Sequence, residues 1–239
     1  MNYLQLVQES LKRAGVRNKE PTTLVGAIDI VADFSNWVQD SWRELQEEST
    51  NWWFRAKLDQ TAAVTASDDT VTLPSDLETI NFRTVSLYTT AKQDEVNLSF
   101  FPYEDWRISK DTIDGGEGRP SIITERPDGV LQLWPVPDQA YTLRYDGVYD
   151  IDVMSDDTDT PGATITGGTQ TLDSRYHYYL VWDTVRRYAE HHNNPETIAM
   201  AQKNALAQHA RLTEKRKPDI YVKVGRLTGY DNLYSRRTW

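Results

Sequence analysis

Apolar residues recur at helical spacing over the first fifty positions. Leu4, Val7, Leu11 and Ala14 share one side of residues 3–14, and Gly15 stands where such a helix would stop. After a polar loop, NKEPTT, a stronger stripe begins. Ile30, Val31, Phe34, Trp37, Val38, Trp42 and Leu45 repeat every three to four residues, while Asp33, Asn36, Asp40, Arg43, Glu44 and Glu47 cover the opposite face. Trp52, Trp53 and Phe54 then close the helix and are expected to cap a core. From residue 55 the period falls to two. KLDQTAAVTA, DTVTLP, NFRTVSLY, PSIIT, GVLQLWP and AYTLRYDGVY read as short strands separated by Pro, Gly and Asp turns. Asp128-Gly129 is a hairpin signal, and Pro135 and Pro137, which lack an amide donor, end their strand. FPYEDWRISK, within this region, fits one or two helical turns.

Helical spacing returns at residue 172. Tyr178, Val181, Trp182, Val185, Tyr188 and Ala189 form one predicted face. Asn194 and Pro195 are the N-cap and first residue of a further helix with Ile198, Ala201, Ala205 and Leu212 on its buried side, and Pro218 ends it. Beyond lies a different pattern. Ile220, Val222 and Val224 alternate with Tyr221 and Lys223, and Leu227, Tyr230, Leu233, Tyr234 and Trp239 follow as apolar anchors among Arg226, Arg236 and Arg237. The order predicts an α+β protein: a helical core of about four helices (residues 1–54 and 171–217), an inserted antiparallel β-domain (55–170) and an extended C-terminal arm (218–239).

Charge sharpens the distinction between body and arm. The 239 residues carry a formal net charge of −10. Residues 211–239 hold eight basic and three acidic side chains, so that segment is +5 and residues 1–210 are −15. An acidic body repels nucleic acid at close range, whereas a basic tail suits a negative surface. The tail reads as a nucleic-acid contact, as a solvated end, or as an arm docking on another subunit through strand addition or aromatic anchors; the alternation and aromatic spacing favour the third. There is no cysteine, hence no disulfide or thiolate chemistry. The first residues lack the pattern of a signal peptide, and no stretch reaches the ~20 apolar residues of a membrane span.

Reactive constellations are sparse. His177, His191, His192 and His209 form no metal-ligand spacing and are expected to be solvated or capping. SDDTDTPG has acids at EF-hand-like offsets, but Pro161 occupies a ligand position, so a polar loop is expected. DGGEG lacks the Lys-Ser/Thr of a phosphate loop and reads as a flexible loop. Neither catalytic nor cofactor-binding residues emerge, and no cofactor is expected. Trp37, Trp42 and Trp182 fall on helical stripes and are assigned to core. Trp106 and Trp134 lie in the β-region and are candidates for an interface or, alternatively, for a carbohydrate platform.

Three stretches together carry a family resemblance. TTLVGAIDIVADFSNWVQDSWRELQEESTNWWFRAK resembles the first core helices of head-to-tail adaptor proteins of tailed bacteriophages, including its NWVQDSW segment and Trp-Trp ending. LPSDLETI followed by GRPSIITERPDGVLQLWPVPDQAYTLRYDGVY is similar to that family's β-insertion, and LDSRYHYYLVWDTVRRYAEHHNNPETIAMAQKNALAQHARL to its closing helix pair. The resemblance spans roughly residues 20–215. Asp152, Val153 and Met154 replace the Pro-Leu often found after the last strand, and the chain after residue 216 matches no family pattern.

The resemblance implies a structural virion protein without enzymatic activity. It implies a ring, typically of twelve subunits, beneath the portal protein at the capsid vertex. The arm (Ile220, Tyr221, Val222, Lys223, Val224, Arg226, Leu227, Tyr230, Leu233, Tyr234, Arg236, Arg237, Trp239) would reach the portal. The opposite face would receive a tail nozzle or tail tube protein, and DNA would pass through the bore without specific binding. Trp106 and Trp134 would face the tail or a neighbouring subunit. Two rivals come from other classes: a tail-associated carbohydrate-binding or glycan-hydrolysing protein, and a DNA-binding accessory protein.

Overall fold

The computed structural model describes residues 1–16, 19–49, 52–89, 94–110, 116–162 and 172–215. Helix α1 (Tyr3–Arg13) opens with a reciprocal cap: the Asn2 side chain accepts from the Gln5 amide at 2.9 Å, and the Gln5 side chain accepts from the Asn2 amide at 3.0 Å. Its buried face is Tyr3, Leu6, Val7, Ser10 and Leu11, so Leu6 is in the core while Leu4 and Ala14 are only half-buried. Helix α2 (Asp29–Glu47) follows the predicted stripe and buries Phe34, Val38, Trp42 and Leu45. A 3-10 turn, Trp53–Arg55, folds the aromatic run back on α2. Trp52 Nε1 donates to the Leu45 carbonyl at 2.6 Å, and the Phe54 ring lies 5.6 Å from Trp52 and 5.4 Å from Trp42.

Among its described residues, the β-region that follows contains eleven strands and one helix: β1 (Ala56–Val64), β2 (Thr70–Val71), β3 (Leu77–Ile80), β4 (Ser86–Tyr88), β5 (Val96–Asn97), β6 (Ser99–Phe100), α3 (Tyr103–Lys110), β7 (Glu117–Gly118), β8 (Ile122–Glu125), β9 (Leu131–Trp134), β10 (Val136–Pro137) and β11 (Tyr141–Tyr149). β11 is the spine of one sheet. β1 runs antiparallel along one edge, while β4 and β3 share the other, and β5 extends β4. A second sheet has the order β2-β9-β8-β6, with the β8–β9 hairpin turning at Gly129 as the Asp-Gly signal predicts. The two sheets enclose one core, to which Val64, Leu87, Leu143 and Tyr145 contribute from the first and Val71, Ile123, Leu131 and Leu133 from the second. Gly147 lets β3 approach β11: a Cβ there would stand 2.8 Å from the Thr79 carbonyl oxygen.

Three features correct the predicted insertion. The β6–β8 and β7–β10 pairs are parallel, so the region is not wholly antiparallel. Pro137 does not stand outside the strands but belongs to β10, a two-residue pair that asks little of its missing donor. Glu117 and Gly118, expected as loop, form β7, while the earlier part of DGGEG falls outside the described residues.

Helices α4 (His177–His191) and α5 (Pro195–Glu214) complete a helical core shared with α1 and α2. α4 is rotated relative to its predicted face. Leu180, Val181, Thr184, Val185 and Ala189 are buried, but Tyr178 is exposed and Trp182 half-buried. Arg13 at the end of α1 lies beside both, its guanidinium 5.7 Å from the Tyr178 ring and 5.3 Å from the Trp182 ring, a contact open to aromatics at the rim. On α5, Ala201, Ala205 and Leu212 are buried as the spacing predicts, with Ile198 half-buried. The Asn194 side chain caps the helix by accepting from the Thr197 amide at 3.2 Å. Asn194→Ala should therefore lower stability by about 1 kcal/mol in urea unfolding. The described residues form a mixed α+β protein, with two helices before the sheets and two after them.

Candidate functional site

Where the chain passes between helices and sheets, the contacts are polar and buried. Arg55, 1% exposed, donates from Nη1 to the Gln46 carbonyl at 2.9 Å and from Nη2 to the Tyr149 carbonyl at 2.7 Å, and it also pairs with Glu78. Gln46 holds the backbone of Asp152 from both sides, donating to its carbonyl at 2.9 Å and accepting from its amide at 2.8 Å. Lys57 sits 2.8 Å from Asp76 and 4.6 Å from the Tyr149 ring centroid. This clasp fixes where the chain leaves α2 and where it returns from β11.

A second polar cluster joins α2 to α4. The Asp183 carboxylate is buried and accepts from Ser41 Oγ at 2.7 Å, Arg186 Nη2 at 2.8 Å and Arg187 Nε at 3.1 Å. Burial opposes its ionisation, but the Ser41 hydroxyl and Arg186 outweigh it and hold the carboxyl below the usual carboxylate range. Arg187 reaches on to Glu44 at 2.5 Å. The Asp183 carboxylate thus has three donors, from both helices, and ties α2 to α4.

The candidate site residues fall in three places. Trp106 is buried within the chain, 5.8 Å from Tyr103 on α3, and Trp134 at the end of β9 is half-buried. A buried Trp106 has no face to offer a sugar, so the two tryptophans do not make an exposed platform. The arm from Ile220 to Trp239 lies outside the described residues. At the end of α5 Leu212 is buried, and Lys215 Nζ stands 5.4 Å from the Tyr176 ring and 5.9 Å from that of Trp53. Lys215 thus rests on an aromatic shelf continuous with the Trp52–Phe54 cluster.

The histidines divide. His191 and His192 are exposed at the end of α4. His209 lies 2.6 Å from Glu48 and 5.5 Å from the Tyr179 ring. His177 contradicts the expectation of a solvated or capping residue. It is 1% exposed, its Nε2 lies 2.9 Å from the Leu172 carbonyl, and its Nδ1 lies 2.7 Å from the amino terminus. Only its place in the apolar run YHYYLV hinted at this. The EF-hand-like stretch is a polar loop, as expected, and it is closed on itself: Asp159 accepts from the amides of Ser155 and Asp156 at 2.7 and 2.8 Å. Among the described residues no group of His, Cys, Asp or Glu could hold a metal ion, and no helix is long and apolar enough to cross a membrane.

One surface feature was not foreseen. The segment LVGAI, residues 24–28, forms a tight turn in which the Ala27 amide donates to the Leu24 carbonyl at 3.1 Å and Gly26 takes φ +71°. Asp157 fastens it by accepting from the Leu24 amide at 2.8 Å. The turn holds Val25 and Ile28 80% and 73% exposed. Elsewhere on the body, Leu11, Lys12, Arg13, Val16, Trp182 and Met200 border an open groove of about 690 Å³.

No curated protein matches the chain. A family model described as SU10 adaptor protein matches residues 1–227. That span takes in the helical core and the whole β-region, the parts on which the sequence resemblance rests. The chain belongs to the SU10 adaptor protein family, the structural adaptors of bacteriophage particles.

Proposed function

We propose that this protein is the head-to-tail adaptor of a tailed phage virion. It stands as a homo-oligomeric ring at the portal vertex, docked under the portal protein through its C-terminal arm, with the tail nozzle or tail tube attached to its other face and DNA passing through its bore. In this reading residues 1–54 and 171–217 are the ring body, 55–170 the inserted interface module and 218–239 the arm. The observation that carries it is the contrast across the end of α5. The residues before it are acidic in sum, Lys215 lies against the aromatic shelf of Trp53 and Tyr176, and the sequence that follows is basic and aromatic. Residues 1–210, at −15, would repel DNA where they face a channel and let it slide, while the basic segment 211–239, at +5, makes the adhesive contact. The exposed face of α2, with Asp33, Asp40 and Glu47, supports that division.

Deleting residues 216–239 tests the reading. The truncated chain should keep the far-ultraviolet circular dichroism and melting temperature of the full chain, because Leu212 is the last buried apolar anchor described on α5, and it should lose binding to the portal ring in co-sedimentation. Undiminished portal binding by the truncated chain would refute arm-mediated docking.

A further inference from the structure

We infer that successive copies of this chain join by a knob-and-groove contact: the Val25–Ile28 turn of one copy enters the groove bordered by Leu11, Val16, Trp182 and Met200 of the next. The inference rests on the proposed ring and names the surfaces that build it.

The turn is a made feature rather than a loose loop. Its backbone is closed by the Ala27–Leu24 hydrogen bond and tied to Asp157, and Gly26 supplies the positive φ that turns the chain. Both presented side chains are β-branched, so little side-chain freedom remains to be lost on docking. Two large aliphatic groups held together in water, 80% and 73% exposed, form an apolar tip that none of the described residues covers. The groove is its counterpart. Leu11, Val16, Trp182 and Met200 give it an apolar side beside Gln8, Lys12, Arg13 and Glu20, Met200 is 45% exposed, and its volume of about 690 Å³ leaves room for two branched side chains.

Knob and groove do not meet within one chain. The hollow beside the turn is lined by Tyr3 of α1 and by Ala32, Ser35, Asn36 and Gln39 of α2. The groove is bordered instead by the far end of α1 with Trp182 of α4 and Met200 of α5. A patch on the α2 side that fits a patch on the α4–α5 side makes a heterologous contact, the kind that builds a ring when its rotation closes and a filament when it does not.

Charge fits the same occupant. Immediately after the knob, Asp33 is exposed and has no ion pair among the described residues, while Asp29 is 3.6 Å from Lys19. The groove's edge carries Lys12, whose side chain is 79% exposed and 3.9 Å from Glu9, and Arg13, paired with the same Glu9. Glu20 is the acid on that rim. Docking the knob would bring Asp33 of one copy toward Lys12 of the next.

The test uses the full chain, measured by mass photometry and sedimentation, alone and with the portal ring. The wild type should assemble, and Val25→Asp with Ile28→Asp should weaken assembly roughly a hundredfold or more. Met200→Asp should do the same from the other side. All three positions are solvent-exposed, so the variants should fold, with the far-ultraviolet circular dichroism of the wild type. Asp33→Lys and Lys12→Asp should each weaken assembly, and the two combined in one chain should restore it. If these variants assemble as the wild type does, the inference fails while the ring reading stands. Assembly that persists with loss of portal or tail-protein binding would assign the knob to another partner and overturn the second copy as its occupant. A wild type that stays a monomer in both conditions would overturn the ring reading together with the inference.

Discussion

Replacing Arg55 with methionine should destabilise the protein by about 4 kcal/mol in urea unfolding followed by circular dichroism. Methionine keeps an unbranched apolar stem in the space that Arg55 fills at 1% exposure, so the loss is mainly polar. Two buried carbonyls, those of Gln46 and Tyr149, lose their donors, at about 1–3 kcal/mol each. Glu78 loses its partner too, but its side chain is 32% exposed and water takes up part of the cost. Arg55→Lys separates the contributions: a single ammonium keeps the charge but cannot reach all three acceptors, so roughly half the loss should remain. The change should also be felt locally. Gln46 lies near the end of α2 and Tyr149 at the end of β11, so without Arg55 the amides of β3 and of the last residues of β11 should exchange hydrogen faster than the sheet core. A methionine variant within about 1 kcal/mol of the wild type would mean that the orphaned carbonyls are hydrated instead.

That clasp is also where sequence reasoning runs out. The α2 stripe, the 3.6-residue spacing of α5, the cap at Asn194 and the switch to period two at residue 55 are local signals, and the structure follows them because burial of one face decides each element. The Arg55, Gln46 and Asp152 contacts join positions about a hundred residues apart, 94 for Arg55 with Tyr149 and 106 for Gln46 with Asp152. No local pattern marks a charged residue that will be buried by partners so distant. α4 was misread for a related reason. Tyr178 and Trp182 have the hydrophobicity of core residues, but a cation from α1 competes for their faces, while Thr184 is buried because its hydroxyl donates to the Leu180 carbonyl at 2.8 Å. Sheet order was no more legible, since β11 takes different partners along its two edges. Among the candidate functional residues, the arm was marked by composition and Trp106 only by residue type, and residue type does not distinguish a core tryptophan from a surface one. The knob at Val25 and Ile28 carries no sequence signal, because an exposed aliphatic residue looks like a buried one until the backbone around it is placed.

Acid should unfold the protein through His177 well before most carboxylates titrate. Burial, helped by the positive amino terminus beside Nδ1, lowers the His177 pKa from an ordinary 6.5 to about 4. The neutral ring is held by the Leu172 carbonyl at Nε2, which fits a tautomer protonated there and leaves Nδ1 as acceptor for the amino terminus. Between pH 6.5 and 4 the unfolded chain binds a proton at this position that the folded chain does not. Stability therefore rises with pH across this window, and in the other direction it falls by about 1.4 kcal/mol per pH unit. The contribution is intact above pH 6.5 and about 3 kcal/mol lower by pH 4. His177→Gln keeps a donor for the Leu172 carbonyl and removes the titration. The variant should be less stable than the wild type at pH 7.5, through imperfect packing, but its urea-unfolding free energy should decline less between pH 6.5 and 4.5. Subtracting the two curves cancels the carboxylates common to both chains, including Asp183, whose lowered pKa places its own loss at still lower pH. Parallel curves for wild type and variant over that window would show that His177 accepts its proton without unfolding the helices around it.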